Sequence, residues 1–292
     1  PFPTFSVRYP IGIHLNELAT TQPQVFDFKL GYRHRPSYYH NKHPNFGNLL
    51  FTSYSDGTRS NLSGTMKNFT ENKFLQPNFD QQNSVIATGD SFTSGNEVGN
   101  NQTWPAILER ISEKRVINGG VGGYSIIQST LIAEQLANNT GINKLIISII
   151  PDDIERAEHS IYQGVPRPYY SSSNSNLTIE YSHIENFTNF SKNDVLSMKE
   201  YLDNYGRSFL LMEILKRTYI KPEVFYYLGF HKKENIDGSI IGCKLMDRLK
   251  KYSKDNLVQI AILFQYPDYY FYENPNLTFD PKDILKQVKI IK

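Results

Sequence analysis

The sequence predicts an α/β domain in which helices cover both faces of a parallel β-sheet. Short apolar runs of strand length alternate with amphipathic stretches of helix length between residues 84 and 150. This alternation is typical of repeated strand–helix–strand units, whose right-handed crossovers place successive strands parallel in one sheet. Residues 1–80 are instead rich in Pro, His, Tyr, Asn and Ser, with only short apolar pieces. They are predicted to form an irregular or β-rich N-terminal extension.

The elements of the predicted domain, residues 81–292, follow in chain order. Strands are expected at 84–88, 116–118, 144–150 and 257–264, where apolar residues dominate. Helices are expected at 101–114, 125–137, 191–204, 207–218, 239–254 and from Asp280 onward. Thr103 and Pro105 suit the start of the first helix, as a cap and a first-turn proline. Residues 171–176 are polar and without periodicity, which predicts a long loop or insertion around 157–190.

Composition and charge narrow the possible partners. The chain carries 31 Lys and Arg against 29 Asp and Glu, a near balance that gives no electrostatic reason to expect nucleic acid. No apolar run approaches the ~18 residues of a membrane-spanning helix. The lone cysteine, Cys243, excludes an intrachain disulfide, and we expect it to be buried in packing. No signal peptide is recognisable, but Pro1 in place of Met is compatible with removal of an export signal.

Three segments that follow predicted strands carry chemically active groups, and ligands of open parallel sheets bind at the carboxyl ends of the strands. Gly89-Asp-Ser-Phe-Thr-Ser-Gly follows the first strand. It places Ser91 where its hydroxyl can attack an acyl carbon while its N–H group holds the oxyanion. Asn118-Gly-Gly-Val-Gly-Gly-Tyr-Ser follows the second strand, and its glycines allow a close backbone approach. Pro151-Asp-Asp-Ile-Glu-Arg follows the third strand with acidic groups and Arg156.

Each segment also has an ordinary structural interpretation. Gly-Asp-Ser is a common turn tripeptide, and Asp152 and Asp153 could cap a helix. The glycine-rich segment could bind a dinucleotide or a phosphate, but Ser125 breaks the Gly-x-Gly-x-x-Gly pattern and the Lys of a P-loop is absent. The order, spacing and strand-end placement of the three segments together favour a catalytic site.

Two regions resemble the first two sequence blocks of the SGNH/GDSL hydrolase superfamily. One is Ile86-Ala-Thr-Gly-Asp-Ser-Phe-Thr-Ser-Gly-Asn-Glu-Val with Thr103-Trp-Pro-Ala-Ile-Leu-Glu, and the other is Val116-Ile-Asn-Gly-Gly-Val-Gly-Gly-Tyr-Ser-Ile-Ile-Gln. Asp56-Gly-Thr-Arg-Ser-Asn also resembles a segment that precedes the core in bacterial members. The resemblance, over about residues 84–156, implies a flavodoxin-like three-layer α/β/α sandwich. It also implies ester, thioester or O-acyl chemistry without a metal or organic cofactor.

The resemblance further implies roles for individual residues. Ser91 matches the nucleophile, with its own N–H group as one oxyanion donor, and Gly123 matches the second donor. The family's third donor is an Asn, but Asp152 stands at that position here. A carboxylate repels an oxyanion, so two donors are expected unless Asp152 is protonated or turned away. The neighbouring candidates are Asp90, Asp153, Arg156 and His159.

The family's catalytic base lies in an Asp-x-x-His block near the C-terminus, and this chain contains no such block. We therefore expect the C-terminal end of the domain to lie beyond Lys292, or the chain to be a remnant without its base. Among the histidines, His159 follows the third segment and is the candidate to approach the site. His34, His40 and His43 resemble no known ligand pattern and are expected in a surface loop rather than a metal site.

The sequence thus predicts a serine-dependent acyl-ester hydrolase or O-acyltransferase that acts on an acylated small molecule or glycan. The alternative is a non-catalytic carbohydrate-binding or interaction module on the same fold, which the missing Asp-x-x-His block and Asp152 favour. A nucleotide or phosphate binder that uses the glycine-rich segment is the third hypothesis. The aromatic stretch Gln265-Tyr-Pro-Asp-Tyr-Tyr-Phe-Tyr-Glu could line a sugar or acyl cleft or serve only in packing.

Overall fold

The computed structural model of the chain describes residues 24–40, 49–62, 79–162, 165–173, 176–182, 184 and 232–265. These residues divide into two compact units. The sheet unit comprises the described parts of 24–25, 33–158 and 236–265, and the hairpin unit comprises the described parts of 26–32 and 159–235. The boundary near residue 80 stays a prediction. Outside the described residues lie the helices predicted at 191–204, at 207–218 and from Asp280, and the aromatic stretch after Gln265.

The secondary structure of the described residues consists of short strands and five helices. The strands are β1 (Gln24–Asp27), β2 (Gly31–His34), β3 (Tyr39–His40), β4 (Phe51–Thr52), β5 (Val85–Thr88), β6 (Val116–Asn118), β7 (Lys144–Ile149), β8 (His159–Tyr162), β9 (Val165–Pro166), β10 (Tyr169–Ser173), β11 (Asn176–Glu180), β12 (Lys232–Lys233) and β13 (Gln259–Phe264). The helices are α1 (Ser91–Ser94), α2 (Trp104–Ser112), α3 (Ile126–Thr140), α4 (Pro151–Arg156) and α5 (Gly238–Asn256).

Four parallel strands form the core of the sheet unit, in the order β6-β5-β7-β13. Ile86 of the central strand β5 pairs with Ile117 on one side and with Leu145 on the other, and Leu145 pairs in turn with Ile260. The prediction of a mixed α/β fold with a parallel sheet is confirmed, and the four predicted strands agree with these bounds to within two residues. The strand order reverses between β5 and β7, which is where ligands of such sheets bind.

In helix α2 the predicted capping residues Thr103 and Pro105 are confirmed, but the predicted bounds are wrong. The Thr103 hydroxyl accepts a hydrogen bond from the Ala106 N–H group at 3.2 Å, and Pro105 lies in the first turn. The helix covers Trp104–Ser112 rather than 101–114, because residues 100–102 form a separate 3-10 turn. Its apolar residues do not all face the core, since Ile111 is 72% exposed.

Helix α5 turns Ile241, Leu245 and Leu249 into the core. These residues are spaced by four and share one face of the helix. Cys243 lies two residues after Ile241, or about 200° around the helix, and it is exposed. The expectation that Cys243 is buried is therefore wrong. Of the helices in the described ranges, none is both long and apolar enough to cross a membrane.

The hairpin unit has regular structure where the sequence predicts an unpatterned loop. Strands β10 and β11 form an antiparallel hairpin in which Tyr170 pairs with Ile179 and Ser171 with Thr178. Strand β8 pairs with β9 and β12 in a separate antiparallel sheet. Backbone hydrogen bonds and pairs of hydroxyl residues stabilise such strands without a continuous apolar face. The loop alternative of the prediction is thus wrong for the described residues between 157 and 190, and the insertion alternative stays a prediction.

Replacement of Gly120 by alanine is expected to lower the free energy of unfolding by about 1–3 kcal/mol, as other insertions into close-packed sites do. A Cβ atom at Gly120 would lie 2.7 Å from the Thr93 carbonyl carbon, whereas nothing lies within 4 Å of a Cβ atom at Gly242. Gly242→Ala, inside α5, should instead raise the free energy of unfolding by about 0.5–1 kcal/mol, because glycine is unfavourable in a helix. Urea unfolding measures both effects, and equal effects would contradict the described packing.

Candidate active site

Ser91 is the first residue of α1, directly after the turn that leaves β5. The carboxylate of Asp90 caps this helix, because its Oδ1 atom accepts a hydrogen bond from the Phe92 N–H group at 2.9 Å. Ser91 is half-buried, and its Oγ atom lies 3.4 Å from Asp90 Oδ2. Within the described residues, the N–H group of Ser91 donates to no acceptor. Ser91 therefore presents both a hydroxyl group and a backbone donor at the end of a strand.

The turn that carries Ser91 depends on Gly89. This residue has φ 155°, a conformation that residues with a side chain rarely adopt. A Cβ atom at Gly89 would also lie 2.9 Å from the carbonyl oxygen of Ser148, at the end of β7. Only glycine thus lets the chain turn into α1 while it stays in contact with the neighbouring strand.

The glycine-rich segment after β6 lies against the Ser91 turn. The amides of Gly119, Gly120 and Val121 all donate to acceptors within the protein, at distances of 2.8 to 3.1 Å. Because Val121 donates to the Gly89 carbonyl oxygen, the segment is fixed beside the turn. Gly123, further along, has φ 78°, which glycine tolerates best. The three bonded amides cannot cradle a phosphate, and this argues against the nucleotide-binding hypothesis.

The third segment is the short helix α4 and not a loop. Asp153 Oδ2 accepts a hydrogen bond from the Ile150 N–H group at 3.0 Å, so the capping interpretation is correct for Asp153. Arg156 Nη1 lies 2.7 Å from Asp153 Oδ1, 3.3 Å from Asp90 Oδ2 and 3.4 Å from the Tyr124 carbonyl oxygen. One guanidinium group therefore contacts groups from all three strand-end segments.

Asp90 and Asp153 are buried carboxylates that share this arginine. Burial raises the pKa of Asp90, and this shift is opposed by the Arg156 charge and by the hydrogen bond from the Phe92 N–H group. The pKa of Asp153 is raised well above its usual range, first by burial and then by the charge of Asp90, while Arg156 lowers it. Burial and mutual repulsion make the two carboxylates bind a proton more readily than isolated aspartates do, although Arg156 opposes this.

The structure brings Ser91, Asp90, Asp153 and Arg156 into one cluster. Gly123 precedes Tyr124, whose carbonyl oxygen contacts Arg156, so the second predicted donor belongs to the same group of segments. Asp152 adjoins the cluster through its contact with Arg156.

Asp152 stands where the resembling family has an Asn donor, but its side chain is 43% exposed. Its Oδ2 atom lies 3.5 Å from Arg156 Nη2. A carboxylate held in this way accepts hydrogen bonds and donates none. His159 belongs to the hairpin unit, where it is buried on β8 and its ring packs edge-on against Tyr162 at 5.3 Å. The approach of His159 to Ser91 stays a prediction.

Sequence reasoning misses the contribution of His34, and the expectation of a surface loop is wrong for this residue. His34 is only 2% exposed. Its Nε2 atom lies 3.0 Å from the Gly120 carbonyl oxygen and 3.1 Å from Ser94 Oγ. His40 lies half-buried on β3, and His43 lies outside the described residues. In the described ranges, no group of three His, Cys, Asp or Glu side chains is arranged to hold a metal ion.

Arg59 is the second residue that sequence reasoning misses. Its guanidinium group donates to the carbonyl oxygens of Ser94, Gly95 and Val98, at the end of α1 and just beyond it. Arg59 lies inside the Asp56-Gly-Thr-Arg-Ser-Asn segment, so the family resemblance marked its neighbourhood without giving it a role. His34 lies in no sequence segment that resembles a known family.

Comparison of the chain with models of known protein families gave no match, and comparison with curated protein sequences gave none either. The function is therefore inferred from the geometry of this site and from the family resemblance.

Asp153→Asn should flatten the pH dependence of stability. Between the unfolded-state pKa of Asp, about 3.9, and the raised folded values, the native protein holds more protons than the unfolded chain. The contribution of the cluster to stability is therefore present at low pH and falls as pH rises through the raised pKa values of Asp90 and Asp153. Asp153→Asn removes one of these two groups.

Urea unfolding in steps from about pH 4 to about pH 8 gives the slope of the free energy of unfolding against pH, and Asp153→Asn should make this slope less steep. Asp152→Asn is the matched control, since it removes an adjacent carboxylate that is 43% exposed. The Asp152 charge is the weakest of the causes that raise the pKa of Asp153, so this variant should change the slope less than Asp153→Asn does. A slope for Asp153→Asn equal to that of the wild type would contradict the raised pKa of Asp153.

Proposed function

We propose that the protein is a serine-dependent acyl-ester hydrolase or O-acyltransferase of the SGNH/GDSL type that acts on an acylated small molecule or glycan. The observation that carries this proposal is the position of Ser91. It is half-buried at the carboxyl end of β5, beside the point where the strand order reverses, and its N–H group has no acceptor in the described residues. A serine in this position offers a nucleophile and an oxyanion donor to one ligand.

The strand order supports the fold that the resemblance implies. Counted along the chain, the four strands of the sheet lie in the order 2-1-3-4. This is the flavodoxin-like order as far as it extends, with the ligand at the reversal between the first and third strands. On this basis we extend the mixed α/β description to a three-layer α/β/α sandwich. Ser91 follows the first of these strands, and Arg156 follows the third.

In the proposed reaction, Ser91 Oγ attacks the acyl carbon and its proton passes to a general base, which in this reaction class is a histidine. The carbonyl oxygen becomes an oxyanion, stabilised by the N–H groups of Ser91 and Gly123. The tetrahedral intermediate then expels the alcohol, which takes the proton from the base. Water or an acceptor hydroxyl attacks the resulting acyl-serine, which gives hydrolysis or transfer respectively.

Asp90 acts in this scheme as a positioning residue and not as the base. One of its oxygens accepts the Phe92 N–H hydrogen bond, and the other is paired with Arg156. These contacts fix the residue immediately before Ser91. Arg156 connects the same carboxylate to Asp153 and to the Tyr124 carbonyl oxygen, which holds the Ser91 turn and the Gly123 segment in one arrangement.

The second candidate function is a non-catalytic carbohydrate-binding or interaction module on the same fold. The observation that favours it is Asp152, a carboxylate at the position of the third oxyanion donor of the resembling family. Loss of one such donor costs about 10²–10³-fold in rate in a well-studied protease. A binding module tolerates this loss because it stabilises no oxyanion.

A fluorophosphonate probe should label Ser91 in the full-length protein, with a bond from Oγ to phosphorus and release of fluoride. Ser91→Ala should abolish labelling and lower kcat for p-nitrophenyl acetate by about 10³-fold or more, because the nucleophile is lost. Active-site labelling is read by mass spectrometry, and turnover by absorbance.

Ser239→Ala is the matched control for this experiment. Ser239 also lies at the start of a helix behind a capping aspartate, since Asp237 Oδ1 accepts its N–H hydrogen bond at 2.8 Å. This variant should be labelled like the wild type. Absence of labelling in the folded wild type, together with glycan binding that Ser91→Ala preserves, would replace the hydrolase proposal with the binding module.

A further inference from the structure

One ring nitrogen of His34 forms hydrogen bonds to two segments of the candidate site. The Gly120 carbonyl oxygen can only accept, so His34 Nε2 carries a proton. This N–H group lies 3.0 Å from the Gly120 oxygen and 3.1 Å from Ser94 Oγ. It therefore connects the glycine-rich segment, which carries Gly123, to the helix that begins at Ser91. The contact needs a donor at this position but no change in the charge of the imidazole ring.

Arg59 satisfies the carbonyl groups at the other end of α1. The last carbonyls of a helix have no partner inside it, and a helix of a single turn has little stability of its own. Arg59 donates to the oxygens of Ser94 and Gly95, and to that of Val98 at 2.6 Å. Its positive charge also favours the carbonyl end of a helix. The short helix is thus stabilised by the Arg59 side chain in addition to its own backbone hydrogen bonds.

The surroundings of Arg59 hold it in this position. Arg59 is 1% exposed, and its guanidinium carbon lies 4.5 Å from the centre of the Phe51 ring. The backbone N–H group of Arg59 donates a hydrogen bond to the Asn118 carbonyl oxygen at 2.8 Å, which attaches this segment to the end of β6. Burial lowers the pKa of Arg59 to about 9. Within the described residues its charge is compensated by carbonyl oxygens and the amide of Asn100 rather than by a carboxylate.

We propose that His34 and Arg59 form a clamp of positioning residues that sets the relative placement of the two oxyanion donors, the N–H groups of Ser91 and Gly123. This inference rests on the proposed acyl-transfer function. The clamp acts on the segments that carry the donors and touches neither substrate nor the reacting atoms. Loss of the clamp therefore reduces transition-state stabilisation, which appears in kcat, and leaves KM nearly unchanged.

His34→Leu should lower kcat for p-nitrophenyl acetate by about 10²-fold, the effect expected of a misplacement near 1 Å. His34→Gln should retain most of the wild-type kcat, because its side-chain amide keeps an N–H donor. The kcat/KM profile of His34→Gln against pH should match that of the wild type, since the role involves no proton transfer. His40→Leu, which changes a half-buried histidine of the same unit away from α1, should behave like the wild type.

Arg59→Lys should lower kcat, because a single ammonium group cannot reproduce the planar fork of a guanidinium. Arg59→Ala with added guanidinium chloride at low concentration should recover part of the lost kcat, and sodium chloride at equal concentration should not. Arg115→Lys is the matched control, since Arg115 also lies over an aromatic ring, that of Tyr54, but bonds to Glu109 and not to α1.

The outcomes separate this inference from the proposed function, with thermal unfolding used to confirm that each variant is folded. Lower kcat in His34→Leu and Arg59→Lys, with recovery in His34→Gln and in Arg59→Ala with guanidinium, supports the clamp. An active wild type with unchanged kcat in folded His34→Leu and Arg59→Lys overturns the clamp alone. A folded full-length wild type that neither reacts with the fluorophosphonate nor turns over the ester overturns both the hydrolase proposal and the clamp.

Discussion

The buried ion-pair network of Arg156 is the constraint on which the candidate site depends. Asp90 and Asp153 each use one carboxylate oxygen to cap the start of a short helix and the other to pair with Arg156. Buried charges are tolerated only when they are paired and hydrogen-bonded, and removal of one partner leaves the others uncompensated. The helices that start at the ends of β5 and β7 are therefore locked to each other, and the orientation of Ser91 follows from this connection.

The framework of the sheet could be predicted from the sequence because its signals are local. The strands at 85–88, 116–118 and 144–149 are apolar runs with glycine or proline after them, and the capping residues Thr103 and Ser125 stand next to amphipathic segments. Helix α4 also carried such signals, with Pro151 in its first turn and Asp153 three residues after the cap position. Its 6 residues are too few for periodicity to distinguish it from a loop.

The contacts of His34 and Arg59 could not be predicted because their partners are mainly backbone carbonyl groups. A carboxylate that pairs with an arginine appears in the sequence as an Asp or Glu, whereas every residue has a carbonyl group. The partners of Arg59 at Ser94, Gly95 and Val98 therefore leave no trace in the choice of residues. Burial of His34 depends equally on tertiary structure, because Gly120 lies far away along the chain. The exposure of Cys243, in contrast, follows from the four-residue spacing of Ile241, Leu245 and Leu249, which the sequence contains.

The sheet unit is discontinuous along the chain, and this has a consequence for its synthesis on the ribosome. Lys144 of β7 pairs with Gln259 of β13, and the residues of the hairpin unit from 159 to 235 lie between them in sequence. One edge of β7 therefore has no partner until most of the chain has been made, and unpaired strand edges promote aggregation. Pairing over such a sequence separation is also slow. A nascent chain of this protein therefore carries an unprotected β-edge for longer than a fold with sequentially adjacent strands does.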